Sequence, residues 1–365
     1  MFSSIFGFLL VITIIVFIHE LGHYVAARLM GVDVLEFSIG FGKKLVSWKD
    51  SRGTIWKICL LPLGGYVKMF GDRGVASDSE LDAFSDMPTE LKKKTFTLQP
   101  PLRRAFIAVA GPMANYILAL VIISFMYASY GKYIISNEVG SVLESSPAEK
   151  AGIHKGDKII SLNGSKIESF DSIYNIVAIR PNTFMSIEIL REGRVLKLHL
   201  VTSEREIKDE AGKVLGKVGA IGVASSGFDH KDLNIIESAK YALDDIYNIS
   251  SMTLTAVGQM IFGSRSTDDL RGTLTIAQQS GESLTGGYMN FLLYIAMLSI
   301  NIGFVNLLPI PILDGGHIMY CLYEIITRKR PSKAAQSLFN KIGLMIVIFL
   351  FVISTSNDIK ALIYR

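Results

Sequence analysis

The stretch Ile18-His19-Glu20-Leu21-Gly22-His23 closes an apolar run that begins near Phe2 and is otherwise long enough to cross a bilayer. Two histidines four positions apart lie on one face of a helix, about one turn from each other, so both rings reach a single metal ion. The glutamate between them is placed to act as a base toward water at that ion. Imidazoles and carboxylates are costly in hydrocarbon, and an ordinary membrane anchor has no use for all three. A chance match to the pattern is the bland reading, and an apolar setting makes it rarer still. The run is not a cleavable signal peptide, because no basic segment precedes it and its apolar part continues into the motif. This stretch therefore points to spanning helices built around a metal-dependent hydrolytic site.

The rest of the chain agrees with a membrane protein. Half of its 365 residues are hydrophobic, too many for an ordinary soluble protein, which implies several spans plus a soluble part. Segments 2–27, 104–130, 288–310 and 340–362 each meet the ~20 residues a bilayer requires. The net charge of +4 matters less than its distribution. Basic residues collect in 43–104, including Lys92, Lys93, Lys94, Arg103 and Arg104, and again in 328–341. The positive-inside rule puts both segments in the cytosol, which leaves the termini and 131–285 outside. These charges flank spans and form no binding motif, so a nucleic-acid partner is not indicated. Cys59 and Cys321 then both face the reducing side and imply no disulfide. Neither has a partner at ligand spacing, and both read as inert thiols.

A hydrolytic zinc ion takes three protein ligands and a water, so the two histidines need a partner. The candidate lies in Asn306-Leu307-Leu308-Pro309-Ile310-Pro311-Ile312-Leu313-Asp314-Gly315-Gly316. Two prolines and a Gly-Gly pair break this apolar segment, and unravelled backbone at membrane depth is tolerated only where protein or water surrounds it. An aspartate there is expensive unless it is paired or bound to a cation, and ligation of zinc meets that need. A helix N-cap is the bland reading for Asp314. His317, three residues on, is the rival ligand.

At this point the residues resemble the site-2 protease family of intramembrane zinc metalloproteases, in the bacterial branch that contains the regulator-of-sigma-E protease. The resemblance is carried by HELGHYVAARLMGV at 19–32, FSIGFG at 37–42, LPLGGYVKMFGD at 61–72, AGPMANYILA at 110–119 and NIGFVNLLPIPILDGGH at 301–317. It implies one Zn2+ on His19, His23 and Asp314, with Glu20 as the catalytic base. It also implies that Asn301 and Asn306 hold the substrate backbone. An amide side chain suits that task because it donates and accepts without charge. Interhelical hydrogen bonding is the ordinary alternative for asparagine in a span.

Residues 137–205 read as a PDZ-like domain, from Val139-Gly140-Ser141-Val142-Leu143 through Gly156-Asp157 to an alternating strand near 185–200. Asn163-Gly164 is a hairpin turn signal, and Gly219–Val223 is a candidate last strand. Such a domain either binds an extended chain by strand addition or caps the site against large ectodomains. Segment 34–70 alternates glycine turns with β-rich runs and reads as a hairpin near the membrane surface. By resemblance it is an edge that pairs with unwound substrate, and by composition an interfacial anchor through Trp48 and Trp56. Residues 73–95 read as a polar loop, and 232–262 have helical spacing.

The fold class expected is a polytopic α-helical membrane protein of about four transmembrane helices, with a membrane-associated β-hairpin region and one α/β PDZ-like domain. Its expected parts begin with a first span carrying HExxH (1–33), a β region (34–72), a cytosolic loop (73–103) and a second span (104–130). There follow the PDZ-like extracytoplasmic domain (131–225) and amphipathic connecting helices (226–285). A third span ending in the LDG motif (286–317) precedes a cytosolic loop and fourth span (318–365). The activity expected is hydrolysis of peptide bonds in the transmembrane segments of single-span proteins, in an inner membrane, with the site toward the cytosol. The resemblance implies anti-sigma factors or signal-peptide remnants as substrates. A non-catalytic PDZ receptor or membrane chaperone with a structural metal is the competing class, and Glu20 argues against it because a structural zinc has no use for a base. A membrane zinc protease of another HExxH family, acting on soluble substrates, is the second alternative; its third ligand would be a downstream helical glutamate.

Overall fold

The computed structural model describes residues 2–72, 87–208, 214–263, 266–267 and 270–363. Helix α1 (Phe2–Leu29) leads into strands β1 (Val34–Lys49) and β2 (Ile55–Met69). A short α2 (Thr89–Lys93) precedes the long α3 (Pro101–Tyr130). Next come β3 (Lys132–Ile135), β4 (Val139–Val142), α4 (Pro147–Lys150), β5 (Lys158–Leu162), β6 (Ser165–Lys166) and α5 (Phe170–Ala178). Strands β7 (Phe184–Arg191), β8 (Arg194–Val201), β9 (Ser203–Lys208), β10 (Val214–Ala220), β11 (Val223–Ser225) and β12 (Phe228–Lys231) follow. Helices α6 (Ile235–Ile261), α7 (Thr273–Thr285), α8 (Tyr288–Leu307), α9 (Asp314–Thr327) and α10 (Lys333–Ile363) complete the chain. They form two compact units, one of residues 1–126 with 235–365 and one of residues 127–234.

Four helices among the described residues are long and apolar enough to cross a membrane: 3–29, 101–130, 288–307 and 334–361. Val11 and Ile15 of α1 pack with Phe291 and Ile295 of α8, which sets the first and third spans side by side. At its far end, Ala26 and Ala27 of α1 pack with Val34 and Met69 of the hairpin and Ile107 of α3.

The hairpin is curled rather than flat. β1 and β2 pair antiparallel, with Trp48 opposite Trp56 and Val34 opposite Met69. Residues 36–39 have partners on both sides, in 65–68 and in 55–58. Phe37 is fully buried and anchors this curl to α1. Its ring stacks on Trp56 at 4.3 Å and meets Phe17 and Tyr24 edge-on at 5.9 Å. Trp56 Nε1 and Tyr24 Oη both donate to Asp50, at 3.0 and 3.1 Å. Trp56 is thus a packing residue of the hairpin base, while Trp48 is about half exposed.

The 127–234 unit is built on a sheet of order β6-β5-β7-β8. Met185, Ile187 and Ile189 alternate inward along β7 and bury against Ile159 and Leu162 of β5 and Ile173 and Val177 of α5. The alternating stretch near 185–200 is two strands, turned at Glu192-Gly193. Asn163 and Gly164 make the β5–β6 turn with φ of 48° and 80°, the left-handed pair that this dipeptide favours. Arg191 grips Asp157 with two 2.7 Å hydrogen bonds, and the His154 N–H adds a third. Burial pushes the Asp157 carboxyl up, but the Arg191 guanidinium and the His154 N–H together hold it below its ordinary value of 3.8.

Some expected boundaries move. The 73–103 loop contains α2, a short 3-10 turn at Phe96–Leu98 and the start of α3; its part at 73–86 lies outside the described residues. Residues 226–234 do not open a helical connection, because β12 pairs with β3 and belongs to the strand-rich unit. The segment after the LDG motif is helical through Thr327, not a loop.

Candidate metal centre

His19 and His23 occupy successive turns of α1, with ring centroids 4.9 Å apart and planes at 85°. Asp314, nearly three hundred residues later in the chain, is the first residue of α9. Its position is set by the broken segment between α8 and α9. Helix α8 stops at Leu307, and Pro309 and Pro311 keep the next turn from being helical. Ile312 carries a φ of 99°, a strained value for a β-branched residue, so the chain reverses just before the aspartate. The reversal folds Leu308 over the start of α9. A Cβ at position 315 would meet the Leu308 carbonyl oxygen at 2.0 Å, so only glycine fits there. Leu313, not Asp314, is the N-cap residue, and no side chain caps this helix. The capping reading of Asp314 is therefore set aside.

The donor atoms converge. His19 Nε2 and His23 Nε2 are 3.3 Å apart. Asp314 Oδ2 is 3.2 Å from His19 Nε2, and Oδ1 is 3.3 Å from His23 Nε2. A tetrahedral ion with bonds of about 2.0–2.1 Å holds its donors about 3.3–3.4 Å apart, so the spacing fits zinc. Among the described residues these three form the one group of histidine, cysteine and carboxylate side chains whose donor atoms cluster this way. The Oδ2 atom of Asp314 is buried and has no hydrogen-bond partner despite its nearness to His19. A buried carboxylate oxygen left so is what a bound cation would satisfy. His23 Nδ1 lies 2.8 Å from the Ile107 carbonyl oxygen. A carbonyl only accepts, so Nδ1 carries the ring proton and Nε2 keeps its lone pair for the cluster.

The cluster opens into a cavity of about 290 Å³. Glu20 lines it, as do Asn306 and His317, together with Gly65, Tyr66 and Val67 of β2. His317 shares the cavity but stands outside the group of converging donors. Asn301 is not among the cavity residues; its Oδ1 accepts from Thr253 Oγ1 of α6 at 3.3 Å, a helix-to-helix contact. Cys59 and Cys321 are buried, free and apart from the donor group. Sequence reasoning missed the Ile107 carbonyl and the strained Ile312.

The model of Peptidase family M50 matches residues 7–350. A protein of Rickettsia conorii named "Putative zinc metalloprotease" is 41% identical, over 98% of this chain and 99% of its own length. Metalloprotease MmpA of Caulobacter vibrioides is 35% identical, over 96% of this chain and 94% of its own. An Agrobacterium fabrum protein with the same description as the first is 36% identical, over 98% and 95%. The chain belongs to peptidase family M50, the site-2 protease family, and is a multi-pass membrane zinc metalloprotease.

Proposed function

We propose that this protein hydrolyses peptide bonds within the transmembrane segments of single-span proteins, holding one zinc ion on His19, His23 and Asp314. The observation that carries the reading is the meeting of three donors, drawn from α1 and the broken α8–α9 segment, at zinc spacing beside a carboxylate that is not among them. Bound there, zinc supplies Lewis acidity that makes water a usable nucleophile near neutral pH and polarises a carbonyl.

The chain's own residues do the rest. The Glu20 carboxylate takes a proton from the attacking water and passes it to the leaving amine. A peptide bond in a helix is locked in the helix's own hydrogen bonds, so the substrate unwinds before it is cut. Gly65, Tyr66 and Val67 of β2 line the cavity and pair with 37–39 on one side; among the described residues no strand pairs with their other side. That edge accepts an extended substrate by strand addition and replaces bonds lost on unwinding. Asn306 lines the same cavity and offers an uncharged donor and acceptor to the substrate backbone. Substrates of this kind are single-span proteins already trimmed outside, such as anti-sigma factors or signal-peptide remnants. We place the 127–234 unit, as a PDZ-like domain, on the extracytoplasmic side of the inner membrane, and the zinc site toward the cytosol.

The test compares purified parent and Glu20→Gln protein on a single-span substrate. Cleavage within the span by the parent, with a loss of at least about 100-fold in the variant and unchanged zinc content, is expected. Cleavage only outside the span, or near-parental activity of Glu20→Gln, defeats the proposal.

A further inference from the structure

A face of α3 backs both histidines. Ile107, Gly111 and Asn115 follow one another at intervals of four residues and so line one side of that helix. Helix α1 lies close against it. A Cβ on Gly22 would meet the Ala110 carbonyl oxygen at 2.3 Å, and one on Gly111 would meet His23 Nε2 at 2.2 Å. Ile107 serves His23 through its carbonyl, as described above. At the other end of the face, the Asn115 carboxamide lies against His19, with Nδ2 3.4 Å from His19 Nδ1.

Asn115 is fully buried, and its Oδ1 has no hydrogen-bond partner. Its backbone is tied down, since Ser299 Oγ of α8 donates to the Asn115 carbonyl oxygen at 3.0 Å. The two ends of a carboxamide have nearly the same shape and are told apart by what they bond to. With Nδ2 toward the ring, the amide donates to His19 Nδ1. The ring proton is then on Nε2, which faces Asp314 and His23 and cannot ligate. Turned end for end, Oδ1 accepts the Nδ1 proton, and Nε2 presents its lone pair to the other two donors.

We propose that Asn115 is the positioning residue for His19: its Oδ1 accepts the Nδ1–H and fixes the ring as the tautomer that ligates through Nε2. The inference rests on the reading of His19, His23 and Asp314 as the zinc site. α3 thereby sets the tautomer of both histidines, with a main-chain acceptor for one and a side-chain acceptor for the other.

The test measures zinc affinity by chelator competition on the full chain in detergent, for the parent, Asn115→Leu and Asn115→Asp. Leucine keeps the shape and removes the acceptor; aspartate keeps the acceptor. Asn115→Leu is expected to bind zinc about 10–100-fold more weakly, and Asn115→Asp to recover to within a few fold of the parent, with zinc-free thermal unfolding of both near parental. Parental zinc affinity in Asn115→Leu, or no recovery in Asn115→Asp, overturns the inference. Should both variants fail to fold, nitrogen NMR of the parent's histidine rings decides. Protonated Nδ1 on both zinc-bound rings supports the assignment, and a bare Nδ1 on His19 overturns it. A parent that binds no zinc defeats the metal-site reading itself, whereas a zinc-binding parent matched by Asn115→Leu defeats only the role of Asn115.

Discussion

Asp314 stands where a carboxylate is hardest to keep. Its side chain is mostly buried, it follows a residue pair that includes the strained Ile312, and one of its oxygens has no hydrogen-bond partner. Two histidines alone give zinc no closed set of protein ligands. Replacing Asp314 with alanine removes the third donor and is expected to weaken zinc binding by at least about tenfold, read as metal retained against a chelator. Undiminished retention would reassign the ligand, with His317, which lines the same cavity, the rival. Much of this site is legible in the sequence, because i,i+4 spacing dictates which face both histidines share and the prolines mark where the backbone must open. The acceptors at Ile107 and Asn115 are not legible. A carbonyl has no residue signature, and what it serves depends on how α1 and α3 pack. Asn301 is a different case. It lies five residues before Asn306, about 140° around the same helix, so the two cannot both face one cavity. The structure gives Asn306 to the cavity and Asn301 to α6.

At the scale of elements, the Asn163-Gly164 turn and the alternation along β7 are legible, since both signals are local. β12 is only four residues long, and its partner β3 lies nearly a hundred residues earlier, so no local pattern announces it. The curl of the hairpin is likewise invisible in alternation, because residues 36–39 are bonded on both sides. One contact within the strand-rich unit yields a pH prediction. The Asp157–Arg191 fork ties the start of β5 to the end of β7. Because the folded carboxyl titrates below its ordinary value of 3.8, its stabilisation is complete above that pH and is lost as pH falls through the lower, folded value. Asp157→Asn is therefore expected to destabilise this unit by about 2 kcal/mol at pH 7. The gap between variant and parent should close as pH drops below 3.8. Hydrogen exchange of 184–201 in the full chain, followed against denaturant at each pH, measures it. A gap that persists unchanged at acid pH would show that the ionised pair is not the cause.

For the molecule as a whole, the number of spans follows from hydropathy, whereas their direction depends on charge. Arg103 and Arg104 sit at the start of α3, and Arg328, Lys329 and Arg330 follow α9. Arg104 and Arg330 both pair with Glu324, so α3 and α9 present this basic cluster from the same end of their unit. Under the positive-inside rule that end is cytosolic. On the topology proposed above, 127–234 is then expected across the membrane from that end, since the chain leaves through α3 and returns through α8 without another spanning helix among the described residues. Cysteine labelling turns this into a measurement, helped by the burial of both native thiols, Cys59 and Cys321. Arg194 and Lys329 are both exposed and suit single replacement by cysteine. In sealed spheroplasts a membrane-impermeant maleimide should label Arg194→Cys and leave Lys329→Cys unmodified until the membrane is broken. The reverse pattern would turn the protein over and put the zinc site toward the outside. Labelling of both in sealed cells would break the four-span path itself, because residues 194 and 329 are separated by α8, the one spanning helix between them among the described residues.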